Sequence, residues 1–270
     1  MKSERAIATN VDVALVIPTF NERDSVRPLL DEIQSALVGV TWNALFVDDS
    51  NDGTDAVIEA IAKSDPRVSV LHRTENRGGL AGAVADGLRT VATGSYVCVI
   101  DADLQHPPAT IPKLLLEAQR TDADVVIASR YVPGGSNGGL DGPMRQFYSR
   151  GLKFLAQLLF PQRLAGITDP LGGFFLVRRS ILQGVALRPI GYKILLEVLI
   201  RCEWQTSAEV PYQFEQRRHG ESKANLQQGL QFLGHLRTLF WDCSPLLAMP
   251  RVAGRLSSGG HSAPPLPGRS

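Results

Sequence analysis

The sequence predicts an α/β protein built on a mostly parallel central sheet with helices on both faces. Two observations predict it. Short apolar runs without clean polar alternation recur through the first 130 residues, each separated from the next by a stretch with apolar residues at helical spacing. Three of those runs stop at residues that carry chemistry rather than at bland turns, and ligands of such sheets bind at the carboxyl ends of the strands.

The elements follow in order. Residues 11–18 form an apolar run ending in Pro18, a buried strand. Residues 25–37 are helical, with Val26, Leu29, Leu30, Ile33 and Leu37 on one face. A second strand, 42–47, stops at Asp48-Asp49, and a helix over 54–62 begins at Thr54 or Asp55. A short strand at 68–72 precedes a helix at 80–91 entered through Gly78-Gly79. The strand at 96–100 is stopped by Asp101. Pro107-Pro108 introduces a helix at 111–119, and a strand follows at 125–129. The second half is less regular: strands at 174–178 and 207–214 flank a helix at 193–202.

Composition narrows the class. At 270 residues the chain is one large domain or two small ones, and 44% hydrophobic with 20% charged residues is an ordinary globular composition. A net charge of +1 gives no reason to expect a nucleic-acid partner. Cys98, Cys202 and Cys243 form no CxxC pair, which argues against a disulfide framework or a cysteine zinc site and fits a reducing, cytoplasmic location. No run of about 18 uncharged apolar residues is present to span a bilayer. Residues 1–10 are polar and read as a flexible N-terminus; residues 245–270, rich in Gly, Ser and Pro, read as a disordered tail. Two stretches, 145–160 and 225–241, are amphipathic helices with large apolar faces. They are either core helices or helices lying on a membrane surface.

The informative residues stand where strands stop. Pro18-Thr19-Phe20-Asn21-Glu22 follows the first strand, Asp48-Asp49-Ser50-Asn51-Asp52-Gly53 the second, and Asp101-Ala102-Asp103-Leu104-Gln105-His106 the fourth. Two carboxylates separated by one residue can turn toward one hard cation, and Gln105 continues the spacing with an amide oxygen. Mg²⁺ or Mn²⁺ held there would bridge a diphosphate and stabilise it as it leaves. Asp48-Asp49 alone is also good turn sequence, and Glu22 alone is also a helix cap. Several motifs are missing: there is no phosphate-binding G-x-x-x-x-G-K-[ST], no GxGxxG after the first strand, no G-x-S-x-G and no H-E-x-x-H.

Seven segments then occur in one order: PTFNE, VDDSNDGT, the Gly-rich helix entry, DADLQHPP, ASRYVPGG, DPLGGFFLVRR and RRHGESK. In that order they resemble the family-2 GT-A glycosyltransferases, and most of all the polyprenol-phosphate (dolichol-phosphate) mannose synthases, over about residues 11–241. The resemblance implies a GT-A catalytic domain at 11–222 and an amphipathic interface helix at 223–244. It implies mannose transfer from GDP-mannose to a polyprenyl monophosphate, with inversion, using Mg²⁺ or Mn²⁺. Pro18, Phe20, Glu22, Asp49, Asp101 and Ala102 would line the nucleotide site, with Phe20 replacing the family's usual Tyr. Asp101, Asp103 and Gln105 would be the metal ligands. Arg130, Arg145 and Ser149 would gather around the lipid phosphate, Arg218 would clamp the donor diphosphate, and Lys223 would be a neighbouring cation.

The chemistry agrees with that set. A phosphate monoester is already anionic at neutral pH and needs no strong general base. What remains is to bring two polyanions together and to stabilise the leaving group, for which arginine offers bidentate geometry. A lipid acceptor also favours the interfacial reading of the two amphipathic stretches. It implies a chain peripheral on the cytoplasmic face of a membrane, with or without a separate membrane anchor protein. Two alternatives stay open: a polyprenyl-phosphate glycosyltransferase using another donor such as UDP-glucose, and a non-catalytic nucleotide-binding protein.

Overall fold

A computed structural model describes residues 11–75, 77–136, 138, 143–215 and 226–243; within it, residues 143–150, 226–228 and 230 are described by backbone alone. The expectations for 1–10 and 245–270 lie outside those residues.

Seven strands form one sheet: β1 (Val13–Thr19), β2 (Trp42–Asp48), β3 (Val68–His72), β4 (Tyr96–Val99), β5 (Val125–Ser129), β6 (Phe175–Arg178) and β7 (Ser207–Pro211), in the order β3-β2-β1-β4-β6-β5-β7. All neighbours are parallel except β6, which runs antiparallel between β4 and β5. The sheet is therefore mostly parallel, as the apolar runs predict. The strand expected to extend to residue 214 ends at Pro211. The helices are α1 (Val26–Ala36), α2 (Thr54–Ser64), α3 (Gly79–Thr90), α4 (Ile111–Thr121), α5 (Pro143–Leu159), α6 (Ile194–Arg201) and α7 (Leu226–Cys243).

Two apolar clusters cover the sheet. Val13, Leu15 and Ile17 of β1 join residues of α1, α2 and α4 on one face, while Val16 joins residues of α3, α5, α6 and α7 on the other. That division is the period-2 alternation of a strand buried on both sides. On the second face α3 comes unusually close to the sheet. A Cβ at Gly87 would stand 2.4 Å from Val16 Cγ1 and 3.0 Å from Val47 Cγ2, so only glycine allows that approach.

The register brings the ends of strands together. Thr19 pairs with Asp48, Asp48 with His72, Val99 with Phe175, and Ser129 with Pro211. The loops after β1, β2, β4 and β5 thus share one edge with the loop that enters β6.

Candidate active site at the carboxyl edge of the sheet

The half of the edge formed by β1, β2 and β3 is organised around Asp48. Its side chain is fully buried and accepts from Thr19 Oγ1 at 2.8 Å, Ser50 Oγ at 2.6 Å and His72 Nδ1 at 2.8 Å. Asp48 is thereby committed to folding the loop. Asp49, expected at the nucleotide, is held by Arg73, which donates through Nε at 2.7 Å to Oδ1 and through Nη2 to Oδ2. Arg73 also reaches Asp86 Oδ2 at 2.9 Å, so a nucleotide at this place meets a buried, hydrogen-bonded carboxylate–guanidinium unit. Pro18 is buried at the end of β1, and Phe20 beyond it is exposed on the rim. Asn21 takes φ 58° and donates its N–H to Ser50 Oγ at 2.8 Å, tying this loop to the one after β2. Glu22 Oε2 accepts from Ser25 Oγ at 3.1 Å beside the start of α1.

The loop after β4 carries Asp101 and Asp103. Ala102 and Leu104 are buried and anchor it; Leu104 sits in the left-handed region at φ 62°. That turn leaves Asp101 partly exposed and Asp103 largely buried, with Asp103 Oδ1 accepting from Gln105 N at 3.1 Å. Gly173 at the entry to β6 faces them: a Cβ there would lie 3.2 Å from Asp101 Oδ2. Among the described residues no group of three or more His, Cys, Asp or Glu is placed to hold a metal. Two carboxylates without a third are an oxygen-only donor set. They fit a hard cation that completes its shell from a diphosphate and water.

Gln105, expected to ligate the metal through its amide oxygen, is tied to the chain after β7 through its amide nitrogen. Its Nε2 donates to Glu215 O at 3.0 Å, and Glu215 N donates back to Gln105 O at 3.0 Å. The chain after β7 runs alongside the loop, so this side chain straps the two segments together. His106 is buried, and its Nδ1 accepts the Asp101 N–H at 3.3 Å. It stacks on Phe174 at 5.2 Å and abuts Tyr212 and Phe214. Burial lowers its pKa to about 4, so the imidazole is neutral at physiological pH. Burial likewise pushes the Tyr212 phenol well above its usual range.

Arg130, immediately after β5, has a largely buried side chain that carries a bidentate pair. Its Nε donates to Asp169 Oδ2 at 2.8 Å and its Nη2 to Asp169 Oδ1 at 2.9 Å. Burial works against its charge, but the hydrogen bonds to Asp169 and its negative charge outweigh that and hold the guanidinium protonated. The pair with Asp169 takes the Nε/Nη2 edge of Arg130, which was expected near the lipid phosphate, and leaves the Nη1/Nη2 edge. Asp169 is fixed in turn: its N–H donates to Glu209 Oε1 at 3.0 Å, and Glu209 also receives the Thr168 N–H at 3.0 Å. Burial raises the Glu209 pKa, against the lowering effect of the Thr168 bonds. Asp169 and Glu209 were missed by the sequence reading, although Asp169 opens the DPLGGFFLVRR segment.

Arg145 and Ser149 lie on α5, but their side chains are outside the described residues, as are Arg218 and Lys223 altogether. Residues 223–244, expected to be an interface helix, include α7, while residues 223–225 and 244 lie outside the described residues. On α7, Leu236 and Leu239 are buried with Phe232 and Cys243 in the core, and His235 Nε2 lies 2.6 Å from Glu197 Oε2 of α6. The stripe expected to meet lipid is divided, because one side of the helix must cover the sheet. Leu233, Phe240 and Trp241 remain exposed on α7, and Phe154 and Leu158 on α5. No helix among the described residues is long and apolar enough to cross a membrane.

Comparison with known proteins agrees with this architecture. The sequence model of glycosyl transferase family 2 matches residues 14–185. A dolichol-phosphate mannosyltransferase of Pyrococcus furiosus is 39% identical over 85% of the chain, which spans 64% of that relative's length. One of Saccharomyces cerevisiae is 31% identical over 86% of the chain and 88% of the relative. An undecaprenyl-phosphate mannosyltransferase of Micrococcus luteus is 36% identical over 78% of the chain and 86% of the relative. Among solved structures, a glucosyl-3-phosphoglycerate synthase of Mycobacterium tuberculosis, in complex with Mn²⁺, UDP and its product, superposes with a TM-score of 0.64 at 20% identity. That alignment covers 87% of this chain and 80% of the other, a likeness of fold.

Proposed function

The chain belongs to glycosyl transferase family 2, and from that premise we propose that it moves mannose from GDP-mannose to the phosphate of a polyprenyl monophosphate, with inversion at the sugar. Three relatives that cover most of the chain and carry mannosyltransferase names support the reaction. The observation that carries the reading is the pairing, on one sheet edge, of an oxygen-only Asp101/Asp103 loop with Arg130, whose charged side chain is 9% exposed.

The proposed division of labour follows the fold. The β1–β2 half, with Pro18, Phe20, Glu22 and the Asp49–Arg73 unit, takes the nucleoside. Asp101 and Asp103 hold Mg²⁺ or Mn²⁺, which supplies positive charge against the departing diphosphate. Arg218 and Lys223 add cations on the donor side, and Arg130, Arg145 and Ser149 take the acceptor phosphate. An acceptor oxygen forms the new bond to the sugar's anomeric carbon as the bond to GDP breaks on the opposite face. The acceptor is ionised before it binds, so the residues need to align rather than deprotonate it. Neutral His106 suits a positioning part, since its Nδ1 is engaged by the Asp101 N–H. Asp169 and Glu209 are both spent on Arg130 and backbone N–H groups, which also suits an acceptor that requires no base.

A lipid acceptor places the protein at a membrane surface on the cytoplasmic side, held by exposed Leu233, Phe240 and Trp241 or by a separate anchor protein. The test is incubation with polyprenyl phosphate in vesicles and labelled GDP-mannose or UDP-glucose in parallel. Organic-extractable label from GDP-mannose alone is expected. Label from UDP-glucose instead would replace the donor, and label from neither would refute the reaction.

A further inference from the structure

We infer that Asp169 is a positioning residue for the acceptor phosphate, acting entirely through Arg130. The inference rests on the proposed reaction and adds a residue and a geometry to it. Asp169 chelates Arg130 from both ends. Its Oδ2 accepts from Arg130 Nε at 2.8 Å and from Arg130 N at 3.3 Å, while Oδ1 takes Nη2 at 2.9 Å. One carboxylate therefore fixes the backbone and the far end of the same side chain. The Nη1/Nη2 edge, with both N–H groups of Nη1 and the second of Nη2, is left for a ligand. Arg130 thus presents that one edge, fixed in direction, for charge-assisted hydrogen bonds to a phosphate.

The carboxylate cannot drift. Glu209 on β7 receives the N–H groups of Asp169 and Thr168, and Thr168 Oγ1 lies 2.7 Å from Ser129 Oγ at the end of β5. The Arg130 guanidinium sits 5.6 Å from the Phe214 ring and 5.7 Å from the Tyr131 ring, which limits its plane. Ion pairs on a solvated surface are not built this way; here Arg130 is 9% and Asp169 2% exposed. A guanidinium held by two hydrogen bonds to a carboxylate that also takes the backbone N–H of the same residue costs no further ordering when the phosphate arrives. The same carboxylate offsets the positive charge of Arg130. Its contribution is therefore orientation, not attraction.

The test separates orientation from general damage. Farnesyl phosphate is the probe, with farnesol as the control that lacks the phosphate. Asp169→Asn keeps the size and removes the charge; Asp169→Glu keeps the charge and shifts the fork by about one methylene, roughly 1 Å. Both are expected to weaken farnesyl phosphate binding and acceptor kcat/KM by about 10–100-fold while GDP-mannose affinity stays within about twofold. Asp124→Asn is the matched control. It breaks a carboxylate–arginine pair with Arg178 at the opposite end of β5, with a 3.0 Å Nε–Oδ1 contact. It should lower thermal stability without moving the acceptor constants. Should Asp169→Asn fail to fold, Asp169→Glu decides. Unchanged farnesyl phosphate binding in a folded Asp169 variant overturns the inference, and so does an equal loss of donor affinity or an equal effect of Asp124→Asn. If the wild-type protein does not distinguish farnesyl phosphate from farnesol, the proposed reaction itself fails and this inference falls with it.

Discussion

Arg130 and Asp169 stand 39 residues apart in the chain and meet as a buried pair, which changes what a substitution at either one means. Read as a surface cation, Arg130→Ala would cost almost nothing in stability. Read from the fold, it strands Asp169 without its partner, a loss of about 3–5 kcal/mol. Thermal unfolding should show a fall of roughly 10 °C for a chain of this size. A shift of only a degree or two would mean that the pair is solvated. Asp103 makes the complementary case. It is largely buried in the loop after β4, where its Oδ1 accepts the Gln105 N–H, so its removal acts on a loop at the sheet edge. Asp103→Ala should therefore keep the fold and lose on the order of a thousandfold in transfer rate. A folded variant with near-normal turnover at saturating metal would remove Asp103 from the cation site.

Elements show where the pattern of a sequence is ambiguous. The apolar stripe of α7 has helical spacing whether it meets lipid or protein. The fold divides it: Leu236 and Leu239 face the core, and Leu233, Phe240 and Trp241 face out. Leu236→Glu should unfold the protein or lower its stability by several kcal/mol, since it puts a charge into an apolar cluster. Leu233→Glu with Trp241→Glu should leave thermal stability nearly unchanged and move the protein from vesicles to the supernatant in flotation. Retention on vesicles by that double variant would place the membrane contact elsewhere. The packing of α3 supplies a test that involves no ligand. Gly87→Ala gains about 1 kcal/mol of helix propensity. Against that, the new methyl overlaps Val16 Cγ1, and overpacking typically costs about 1–3 kcal/mol. Because the 2.4 Å approach is far inside contact distance, the steric cost should win and lower the denaturation midpoint.

At the scale of the whole molecule, the edge of the sheet was legible because its signals are local. Buried parallel strands read as apolar runs, and the loops after β1, β2 and β4 read as carboxylate clusters directly in the sequence. The reversal of β6 between β4 and β5 was not legible, since strand direction is set by pairing between distant residues. Nor was the commitment of Asp49 to Arg73, or of Gln105 to Glu215, because both partners are brought in by the fold. Those commitments bear on how the two halves of the edge act together. The nucleoside side is closed by its own internal bonds, and the Asp101/Asp103 loop has no third carboxylate, His or Cys among the described residues to complete a metal shell. Either ligand alone should therefore bind weakly, and each should supply contacts the other lacks. By linkage, a ligand stabilises the fold in proportion to the logarithm of its occupancy, so cooperation is visible in thermal unfolding. Mn²⁺ alone at about 1 mM should shift Tm by a degree or less, and GDP alone by little more. The two together should exceed the sum of the separate shifts by several degrees, corresponding to about 1–3 kcal/mol of coupling. Asp101→Asn should abolish that excess while leaving the small effect of GDP in place. A full shift from Mn²⁺ alone would mean that the protein completes the metal site without the nucleotide. Additive shifts would mean that metal and diphosphate do not share one site.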